Sequence, residues 1–386
     1  MRSILCLLPA TLALVPLVSA SFQQFGIPAS RSTVSVKRIL VGNLTVHDGI
    51  LPGLFSPNLP GVDSLPLPMY AFLLEHGAQK VMFDLGMRKD VSGLTPAARE
   101  LFTAGEFVEG IKMDVVAQLE AGGVSVKDIE TVIWSHAHFD HTGDMTKFPN
   151  STNLVIGPET NMTIYPADPS SYVQASDFAG RNVTKVDFAK SNLTFSGLKA
   201  VDYFGDGSFY LMDTPGHFPG HLTGLARVTP TSFILLGGDS FHHDGQMRPR
   251  PALQAAFPCP AHIRESASHT ISTDYFWSPD TRPGSFDVRS RASPLLAISD
   301  IPGSFYSDPV QAGVSVDKLA AFDADEDFLV LIAHDIDALG TLPYFPEALD
   351  GWKAAGVKEG LLWHFLEVGS ESFVFRPNVS ESNSAE

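Results

Sequence analysis

The most constraining feature of this chain is the segment 135–141, whose sequence is SHAHFDH. It contains three histidines and one aspartate, and it directly follows the apolar run 131–134, which predicts a β-strand. Neutral imidazole nitrogens and carboxylate oxygens are ligands that Zn²⁺ prefers in proteins. The segment offers more of them than one tetrahedral ion needs, and the surplus indicates a pair of metal ions. The alternative, a polar loop with incidental histidines, is disfavoured because suitable partners follow downstream.

Three later segments repeat the arrangement in which a polar side chain follows an apolar strand. The apolar runs are 207–213, 232–236 and 328–332. The side chains that follow them are His217 on a Pro-Gly turn, Asp239 after two glycines, and His334. Binding sites of α/β proteins lie beyond the carboxyl ends of the strands. Each residue alone would be weak evidence, because a histidine at a strand end is more often structural, but together with the first segment they predict one site.

The histidines and aspartates of these segments resemble the ligand series of the metallo-β-lactamase superfamily, and most closely that of its N-acyl-homoserine-lactone lactonase group. The residues that carry the resemblance are His136, His138, Asp140, His141, His217, Asp239 and His334. The flanking segments 69–75, 82–87, 214–221 and 333–335 also look like that group. The likeness extends roughly from residue 35 to residue 334. It implies an α/β fold, the αββα sandwich, with a dinuclear site at one edge of its two sheets.

The resemblance also implies a role for each residue. One metal ion would be bound by His136, His138 and His217, and the other by Asp140, His141 and His334. Asp239 would bridge two divalent cations, for which Zn²⁺ is the first expectation, although metal supply decides among similar ions. Asp140 would therefore belong to the catalytic residues as well as to the ligands. Asp84 and Asp335 are expected to orient ligands or loops rather than to bind metal.

In this family the expected nucleophile is a metal-bound hydroxide, because one Zn²⁺ already lowers the pKa of its water to about 7. The resemblance implies a metallohydrolase that opens a lactone or a related ester. A thioesterase or a β-lactamase-like hydrolase of the same fold is an alternative, and so is an iron-dependent oxidoreductase of the superfamily. A non-enzymatic binding protein is disfavoured because no ligand position is missing. The sequence contains no Gly-x-Ser-x-Gly motif that would indicate a serine nucleophile.

One position departs from the lactonase pattern. Lactonases of this group carry a tyrosine three residues beyond the bridging aspartate, where its hydroxyl can bond the lactone. Here that residue is His242, and His243 follows it. An imidazole can still donate a hydrogen bond to a carbonyl, so His242 is a candidate catalytic residue, with a position outside the pocket as the alternative. His243 is expected to be a solvated loop residue.

Residues 21–386 are expected to form one hydrolase domain with a long insertion at about 241–309. The insertion is rich in Pro, Ser and aromatic residues and has poor periodicity. Its aromatic residues include Phe257, Tyr275, Phe276, Trp277 and Phe286. They would suit a small substrate that is apolar or aromatic, or they would only pack against one another. We expect the identity of the substrate to depend on this stretch.

The first 20 residues predict a cleaved signal peptide, with a basic start, an apolar run and a small-residue cleavage pattern at Val18-Ser19-Ala20. Six Asn-x-Ser/Thr sequons accompany it, at Asn43, Asn150, Asn161, Asn182, Asn192 and Asn378. A secreted glycoprotein without a membrane anchor is therefore expected. The apolar run is too short for a membrane span. Cys259 would be the one cysteine of the mature chain, and we expect it to be structural rather than nucleophilic.

Composition excludes some partners and leaves others open. The net charge is −17 and basic runs are absent, which argues against binding to nucleic acid, because phosphates need neutralisation by Lys and Arg. With 44% hydrophobic residues among 386, the chain can bury a large core. The oligomeric state does not follow from the sequence.

Hydrophobic patterns predict most of the local structure. The predicted strands are 33–45, 69–74, 80–84, 131–134, 153–156, 198–201, 208–212, 222–228, 232–236 and 328–332. The predicted helices are 114–121, which ends at Gly122-Gly123, a short helix at 158–164, and 316–322. Residues 51–68 are expected to form a Pro- and Gly-rich loop that lines the substrate entrance.

Overall fold

The computed structural model describes residues 21–47, 49–58, 62–104, 108–109, 111–267 and 293–375. Within these ranges the strands form a seven-stranded sheet, a six-stranded sheet and a two-stranded ribbon. The strands are β1 (Ser35–His47), β2 (Phe55–Ser56), β3 (Ser64–His76), β4 (Gln79–Phe83), β5 (Val108–Glu109), β6 (Ile129–Ile133), β7 (Asn153–Ile156), β8 (Val183–Lys185), β9 (Leu193–Phe195), β10 (Leu198–Asp202), β11 (Phe209–Asp213), β12 (Leu222–Arg227), β13 (Phe233–Leu236), β14 (Ala297–Ile298) and β15 (Phe328–Leu331).

The helices are short, apart from one of 15 residues. They are α1 (Leu51–Leu54), α2 (Pro96–Ala104), α3 (Val115–Ala121), α4 (Phe139–Thr142), α5 (Ala175–Phe178), α6 (Pro251–Ala256), α7 (Ala261–Ala267), α8 (Pro309–Asp323) and α9 (Val357–Leu361). None of the helices in the described ranges is long and apolar enough to cross a bilayer.

Buried apolar side chains define four layers. Phe72 and Ile133 of the seven-stranded sheet and Leu211 and Leu236 of the six-stranded sheet belong to one core between the sheets. On the outer face of the first sheet, helix α3 packs its apolar side against β1, β3 and β6. On the outer face of the second sheet, α8 packs in the same way against β11, β13 and β15. The layers therefore follow as helix, sheet, sheet and helix, which confirms the predicted αββα sandwich.

The strand directions bring the polar segments to one edge of the sandwich. The seven-stranded sheet has the order β5-β1-β3-β4-β6-β7-β8, and the other sheet has the order β15-β13-β12-β11-β10-β9. Strand β4 pairs in parallel with β6, and β13 pairs in parallel with β15. Strand β11 shares the direction of β13, because each pairs antiparallel with β12. The carboxyl ends of β6, β11, β13 and β15 are the positions that precede the candidate ligands.

Two backbone hydrogen bonds join the sheets at this edge. The N–H of Leu222 donates to the carbonyl oxygen of Ser135 over 2.7 Å, and the N–H of Tyr70 donates to that of Ala333 over 3.0 Å. Both carbonyl groups lie next to candidate ligands. The bonds fix the segments after β6 and β15 against the opposite sheet, so the two halves of the site share one frame.

Residues 51–68 are not the loop that the sequence predicted. They include α1, β2 and the first residues of β3. Strand β3 pairs with β1 over almost its whole length, beginning with Ser64 opposite His47. Leu65, Leu67 and Pro68 are buried, and Pro66 is half-buried. Prolines are tolerated there because this part of β3 pairs on one side only, β4 reaching no further than Phe72.

Two predicted helices also differ from the structure. No helix forms at 158–164, where the side chain of Asn161 accepts a hydrogen bond from the backbone N–H of Thr163 over 2.9 Å. Such local bonds compete with the helical pattern. The helix predicted at 316–322 begins earlier, as α8, because Asp308 caps it by accepting from the N–H of Gln311 and a proline follows at the first position.

The insertion contributes to the fold at several points. Helices α6 and α7 lie in it, and β14 pairs antiparallel with β2. Phe257 is half-buried against the apolar cluster around α1, α6 and α7, whereas Tyr275, Phe276, Trp277 and Phe286 lie outside the described residues. Cys259 is buried in the same cluster, and burial raises the pKa of its thiol to about 12, so it stays protonated at neutral pH.

Candidate metal centre

The first ligand cluster joins His136 and His138, which follow β6, to His217, which follows β11. The Nε2 atom of His136 lies 2.8 Å from Nδ1 of His138 and 3.2 Å from Nε2 of His217. Nδ1 of His138 and Nε2 of His217 are 3.1 Å apart. Gly216 makes this approach feasible, because its φ is +131° and a Cβ there would lie 2.1 Å from the backbone nitrogen of Ala312. Three imidazole nitrogens thus face one point.

The second cluster joins Asp140 and His141 of α4 to His334, which follows β15. Nε2 of His334 lies 3.3 Å from Oδ2 of Asp140, and Nε2 of His141 lies 3.9 Å from the same oxygen. The side chains are almost completely removed from solvent, Asp140 being the most accessible of the three at 12%. One carboxylate oxygen and two imidazole nitrogens therefore face a second point.

Asp239 lies between the clusters. Its Oδ2 is 3.4 Å from Nε2 of His217 and 3.4 Å from Nε2 of His334, while its Oδ1 is 3.2 Å from Nε2 of His141. The preceding Gly238 has a φ of +52°, and a Cβ there would lie 2.7 Å from the ring of His221. All seven residues predicted to bind metal are therefore brought together, with Asp239 in the bridging place.

Burial and neighbouring charges shift the pKa values of the histidines in opposite directions in the two clusters. Burial is the main reason why the pKa of His136 and of His217 lies well below 6.5, and it lowers the pKa of His138 to about 4. Burial also opposes protonation of His141 and His334, but the charge of Asp239, together with Asp140, outweighs it. The pKa of His141 is raised well above its usual value, and that of His334 is raised to about 10.

The carboxylates of the site stay ionised. Burial would raise the pKa of Asp239, but the charges of His141 and His334 outweigh burial and hold it well below 3.8. The pKa of Asp140 is also lowered, since the charge of His141 and the hydrogen bond from His334 outweigh burial. The protein alone thus holds two buried carboxylates in their ligand form.

Several contacts outside the clusters orient the ligands. Oδ2 of Asp84 accepts from Nδ1 of His141 over 2.9 Å and from the hydroxyl of Ser135 over 2.8 Å. Asp84 has a left-handed backbone with φ of 59°, an uncommon conformation that aspartate tolerates better than most residues. The carbonyl oxygen of Pro68 accepts from Nδ1 of His334 over 2.8 Å. The position of Asp84 agrees with the orienting role expected for it.

Sequence reasoning missed two of these supporting residues. His221 accepts a hydrogen bond at Nε2 from the backbone N–H of Asp239 over 3.0 Å, and its Nδ1 contacts the carbonyl oxygen of Thr214 at 3.0 Å. Burial lowers the pKa of His221 to about 4, which keeps it neutral and able to accept. Ser135 was part of the first motif, yet its hydroxyl was given no role. Asp335 contacts no ligand side chain and instead accepts from the N–H of Ala338 in the next turn.

His242 is buried at the centre. Its Nε2 lies 3.2 Å from Oδ2 of Asp239, and its Nδ1 lies 2.7 Å from the hydroxyl of Tyr306. Burial raises the pKa of Tyr306 well above 10, so the phenol keeps its proton. Tyr306 belongs to the insertion, and sequence reasoning gave no sign of it. The expectation for His243 was wrong, because it is buried and its Nε2 donates to the carbonyl oxygen of Ser372 over 2.7 Å.

A narrow cavity opens onto the two clusters. Its polar end is formed by His138, Asp140 and Asp239. The rest of its wall is apolar and comes from β1, α1, β3, α2 and the insertion, with Leu44, Val46, Ile50, Leu54, Leu67, Leu101, Phe139 and Phe305. No Lys or Arg lines it among the described residues. Its shape and lining suit a small molecule with an apolar part next to a polar reacting group.

The residues of both clusters fit divalent metal ions. Two nitrogens bound tetrahedrally to one Zn²⁺ at about 2.0–2.1 Å would be about 3.3 Å apart, close to the separations of 2.8–3.2 Å in the first cluster. Nε2 of His141 and Oδ1 of Asp239 are buried and have no hydrogen-bond partner among the described residues. Buried polar atoms without partners are costly, and a bound cation would satisfy both.

The fold and the site agree with one superfamily. A family model described as "Metallo-beta-lactamase superfamily" matches residues 65–283, which is more than half of the chain. The chain belongs to the metallo-β-lactamase superfamily, as the resemblance of its ligand series implied.

Curated relatives agree with this assignment. The chain is 36% identical over 349 residues to a metallo-hydrolase, mfmC of Annulohypoxylon moriforme, covering 88% of each protein. It is 35% identical to the gamma-lactamase FDB1 of Fusarium pseudograminearum, covering 88% of the chain and 83% of the relative. Three further relatives, Penicillium proteins named cytochrome P450 monooxygenase mpaDE, are 34–36% identical, but the chain spans 38% of their length.

A solved structure gives the same fold. An N-acyl homoserine lactone hydrolase described as quorum-quenching superposes with a TM-score of 0.54 at 18% identity, covering 83% of this chain and 99% of that one. At this identity the similarity concerns the fold and carries no information on the substrate.

Proposed function

We propose that this protein opens the ring of a neutral lactone or a related ester that carries an apolar group. The observation that carries the proposal is the cavity in which an apolar wall meets Asp140, Asp239 and His138. A substrate with its acyl or aromatic part on Leu44, Leu67 and Phe305 would present its carbonyl at the ligand clusters. The absence of Lys and Arg from the described lining favours an uncharged molecule.

In the proposal, His136, His138 and His217 hold one divalent cation, and Asp140, His141 and His334 hold the other. Asp239 supports both, since its Oδ2 lies 3.4 Å from His217 of the first cluster and 3.4 Å from His334 of the second, and its Oδ1 faces the second. Bound cations of this kind would polarise a carbonyl and make a water nucleophilic at neutral pH. The chain itself orients the ring through the apolar wall, limits the access of bulk water by burying five of the seven ligands, and offers the imidazole of His242 to the carbonyl.

A cyclic amide is the second candidate substrate. The observation in its favour is the similarity to the gamma-lactamase FDB1, of which the chain covers 83% at 35% identity. A γ-lactam has nearly the shape of a γ-lactone, so the same cavity would accept both. The amide is the harder bond to break, because its leaving nitrogen must gain a proton. Asp140 is ionised and lines the cavity, so it would take a proton from the attacking water and pass it to the leaving nitrogen.

We also infer that the protein is secreted and glycosylated. The signal-like segment 1–20 lies outside the described residues, so the inference rests on its sequence. Among the sequons, Asn150, Asn161, Asn182 and Asn192 are exposed, as acceptors of a bulky glycan must be. Asn43 lies half-buried in β1 with its carboxamide oxygen enclosed, and it should stay unmodified. Expression in a secreting eukaryotic host should give a mature chain starting at Ser21, and an intracellular product that retains Met1 would contradict the inference.

A hydrolysis screen tests the substrate. Zinc-loaded protein is tested with γ-lactones and γ-lactams. Each is supplied in two forms, one with an apolar side chain and one in which the same side chain ends in a carboxylate. Linear esters, thioesters and a β-lactam complete the screen. We expect the apolar lactone to give the highest kcat/KM, and the charged partner to fall at least about tenfold, since burying an unpaired charge is costly. A preference for thioesters or β-lactams would replace the proposal.

The cavity itself is tested by Leu101→Trp, which fills part of the wall from α2. It should raise KM for the lactone with a long side chain and leave an unsubstituted lactone nearly unchanged. Val310→Trp is the matched control, because Val310 is 79% exposed on α8 and does not line this cavity. Equal effects of Leu101→Trp on both lactones would show that the substrate lies elsewhere.

A further inference from the structure

A chain of buried polar side chains leads from the insertion to the ligand clusters. Nε2 of Gln246 lies 3.2 Å from the hydroxyl oxygen of Tyr306, which lies 2.7 Å from Nδ1 of His242. Nε2 of His242 lies 3.2 Å from Oδ2 of Asp239. Gln246, Tyr306 and His242 are each 3% exposed, so water does not compete for these contacts. The direction of each hydrogen bond can therefore be worked out from the donors and acceptors present.

The orientation of the Gln246 amide is fixed by the backbone. Its Oε1 accepts from the N–H of His242 over 2.8 Å and from the N–H of His243 over 3.1 Å. An amide NH₂ group could not accept those two bonds, so the oxygen must be on this side. The NH₂ group consequently faces Tyr306, and the tyrosine oxygen is an acceptor in that contact.

The proton of Tyr306 must then be donated to His242. The NH₂ group of Gln246 donates to the carbonyl oxygens of Leu54 and Ala297 as well, and it cannot accept a hydrogen bond, so Tyr306 cannot donate its proton to Gln246. The acceptor nearest to the hydroxyl among the described residues is Nδ1 of His242. A neutral imidazole that accepts at Nδ1 carries its hydrogen on Nε2. That hydrogen points at Oδ2 of Asp239.

The opposite tautomer of His242, with its hydrogen on Nδ1, would make both of the contacts of its ring unfavourable. A hydrogen on Nδ1 would leave the Tyr306 hydroxyl with two donors facing it and with no acceptor for its own proton in the described part of the chain. It would also place the lone pair of Nε2 against a carboxylate oxygen. A buried polar group left without a partner loses its contacts with water and gains none in return, which is costly. The contacts therefore favour one tautomer strongly.

We propose that Tyr306 and Gln246 are positioning residues that fix His242 as a hydrogen-bond donor at Nε2. The same arrangement keeps His242 out of the ligand set, although Asp239, His242 and His334 each offer a ligand atom within 4.8 Å of the others. The catalytic consequence rests on the proposed function: the Nε2–H, which points at Oδ2 of Asp239, would be shared with the carbonyl oxygen of the ring that opens. The tautomer itself does not depend on which substrate is correct.

The direct test is the position of the hydrogen on His242. Zinc-loaded protein with ¹⁵N-labelled histidine is compared with His242→Phe to assign the signals, and the one-bond nitrogen–hydrogen coupling is read for each ring nitrogen. We expect the coupling at Nε2 and none at Nδ1. In Tyr306→Phe the Nδ1 atom loses its donor, so the signal should become a mixture of both tautomers. A hydrogen on Nδ1 in the parent protein, or an Nε2 without hydrogen that binds zinc, would overturn the proposal.

The matched control is Tyr210→Phe. Tyr210 is a buried tyrosine of β11 whose hydroxyl has no hydrogen-bond partner among the described residues. Removing that hydroxyl changes neither the clusters nor the Gln246 network. It should leave the His242 signal, the zinc content and the rate as in the parent protein, so that any change in Tyr306→Phe belongs to the lost contact with His242.

Kinetics of lactone hydrolysis test whether Tyr306 acts through His242. His242→Phe should lower kcat by roughly 10–1,000-fold, the range for losing one positioned donor, and Tyr306→Phe by about tenfold with little change in KM. In the double variant, Tyr306→Phe should add less than about twofold to the loss from His242→Phe, because coupled residues are not additive. Additive losses would show that Tyr306 does not act through His242. Should no lactone be hydrolysed, the proposed function fails while the tautomer measurement still decides this proposal.

Discussion

The two ligand clusters use similar residues but are supported in different ways. In the second cluster both histidines donate from the ring nitrogen that faces away from the centre: Nδ1 of His141 to Asp84 and Nδ1 of His334 to the carbonyl oxygen of Pro68. In the first cluster His136 has a weaker contact at 3.1 Å with the hydroxyl of Ser135. Nδ1 of His217 has no hydrogen-bond partner among the described residues. The second cluster is therefore the more firmly oriented of the two.

This difference implies that the two clusters bind metal ions with different affinities. A ligand histidine whose outer nitrogen donates to a fixed acceptor is held in one tautomer and one orientation, which raises metal affinity. The second cluster also contains the carboxylate of Asp140, whereas the first consists of three neutral imidazoles next to Asp239. We expect the second cluster to hold its ion tightly and the first to exchange its ion more readily. The predictions below test this comparison.

The largest effect is expected from Asp239→Ala, which removes the group that faces both clusters. The rate of hydrolysis should fall by about a thousandfold or more, because the two ions would lose their common support. The zinc content should drop in the first cluster most, since that cluster has no other carboxylate. Metal analysis and circular dichroism would be measured on the same sample. Activity within tenfold of the parent enzyme, with metal retained, would contradict the bridging role.

Asp84→Asn should weaken the second cluster selectively. Asparagine also tolerates the left-handed backbone at this position, so the change mainly removes the charged acceptor of His141. Zinc affinity of the tighter site should fall by roughly 10–100-fold, the usual cost of losing such an acceptor. A competition titration with a coloured chelator measures it.

Asp114→Asn is the control for that exchange. Asp114 caps α3 by accepting from the N–H of Ala117, and asparagine caps helices equally well. Its partners are the N–H of Ala117 and the ammonium of Lys147, neither of which belongs to a ligand, so both zinc affinities should match those of the parent protein. If Asp84→Asn weakens the looser site instead of the tighter one, the assignment of strong and weak clusters is reversed.

The smallest effect concerns the order of metal release. With zinc-loaded parent protein and a chelator in excess, two release phases are expected, the faster from the first cluster. We expect the rates to differ by about tenfold, which corresponds to about 1.4 kcal/mol in the release barrier. His334→Ala should convert the slow phase into a fast one and leave the other unchanged. A single phase in the parent protein would mean that the ions leave together.

The parts of the site that the sequence predicted are those defined by local patterns. His136, His138, His217, Asp239 and His334 each follow an apolar run, and an apolar run that ends in a turn is visible in one dimension. The strand directions then bring those ends together, as the α/β pattern implies. The α/β class could be predicted for the same reason, because the central strands are buried on both faces and appear as continuous apolar runs. The αββα sandwich itself was implied by the resemblance of the ligand series.

The parts that could not be predicted depend on distant partners. His243 has the sequence context of a loop, yet it is buried because the carbonyl of Ser372, 129 positions later, accepts its proton. The role of Tyr306 follows only from its contact with His242, which is 64 positions away in the sequence and could not be foreseen from local patterns. Residues 51–68 were mistaken for a loop because proline usually breaks strands, and only the one-sided pairing of β3 with β1 makes the prolines acceptable.

Strands β13 and β15 pair in parallel, with Leu236 opposite Leu331, although Asp239 and His334 are 95 positions apart in the chain. The pairing fixes the distance between these two ligands whatever connects them. Lengthening a connection adds little closure entropy, about 0.6 kcal/mol for each doubling. Outside His242, Gln246 and Tyr306, the connecting chain is therefore free to be replaced, by evolution or by grafting, while the ligands at its two ends keep their places. Exchange of this segment between relatives is the most direct route to new substrates on the same metal centre.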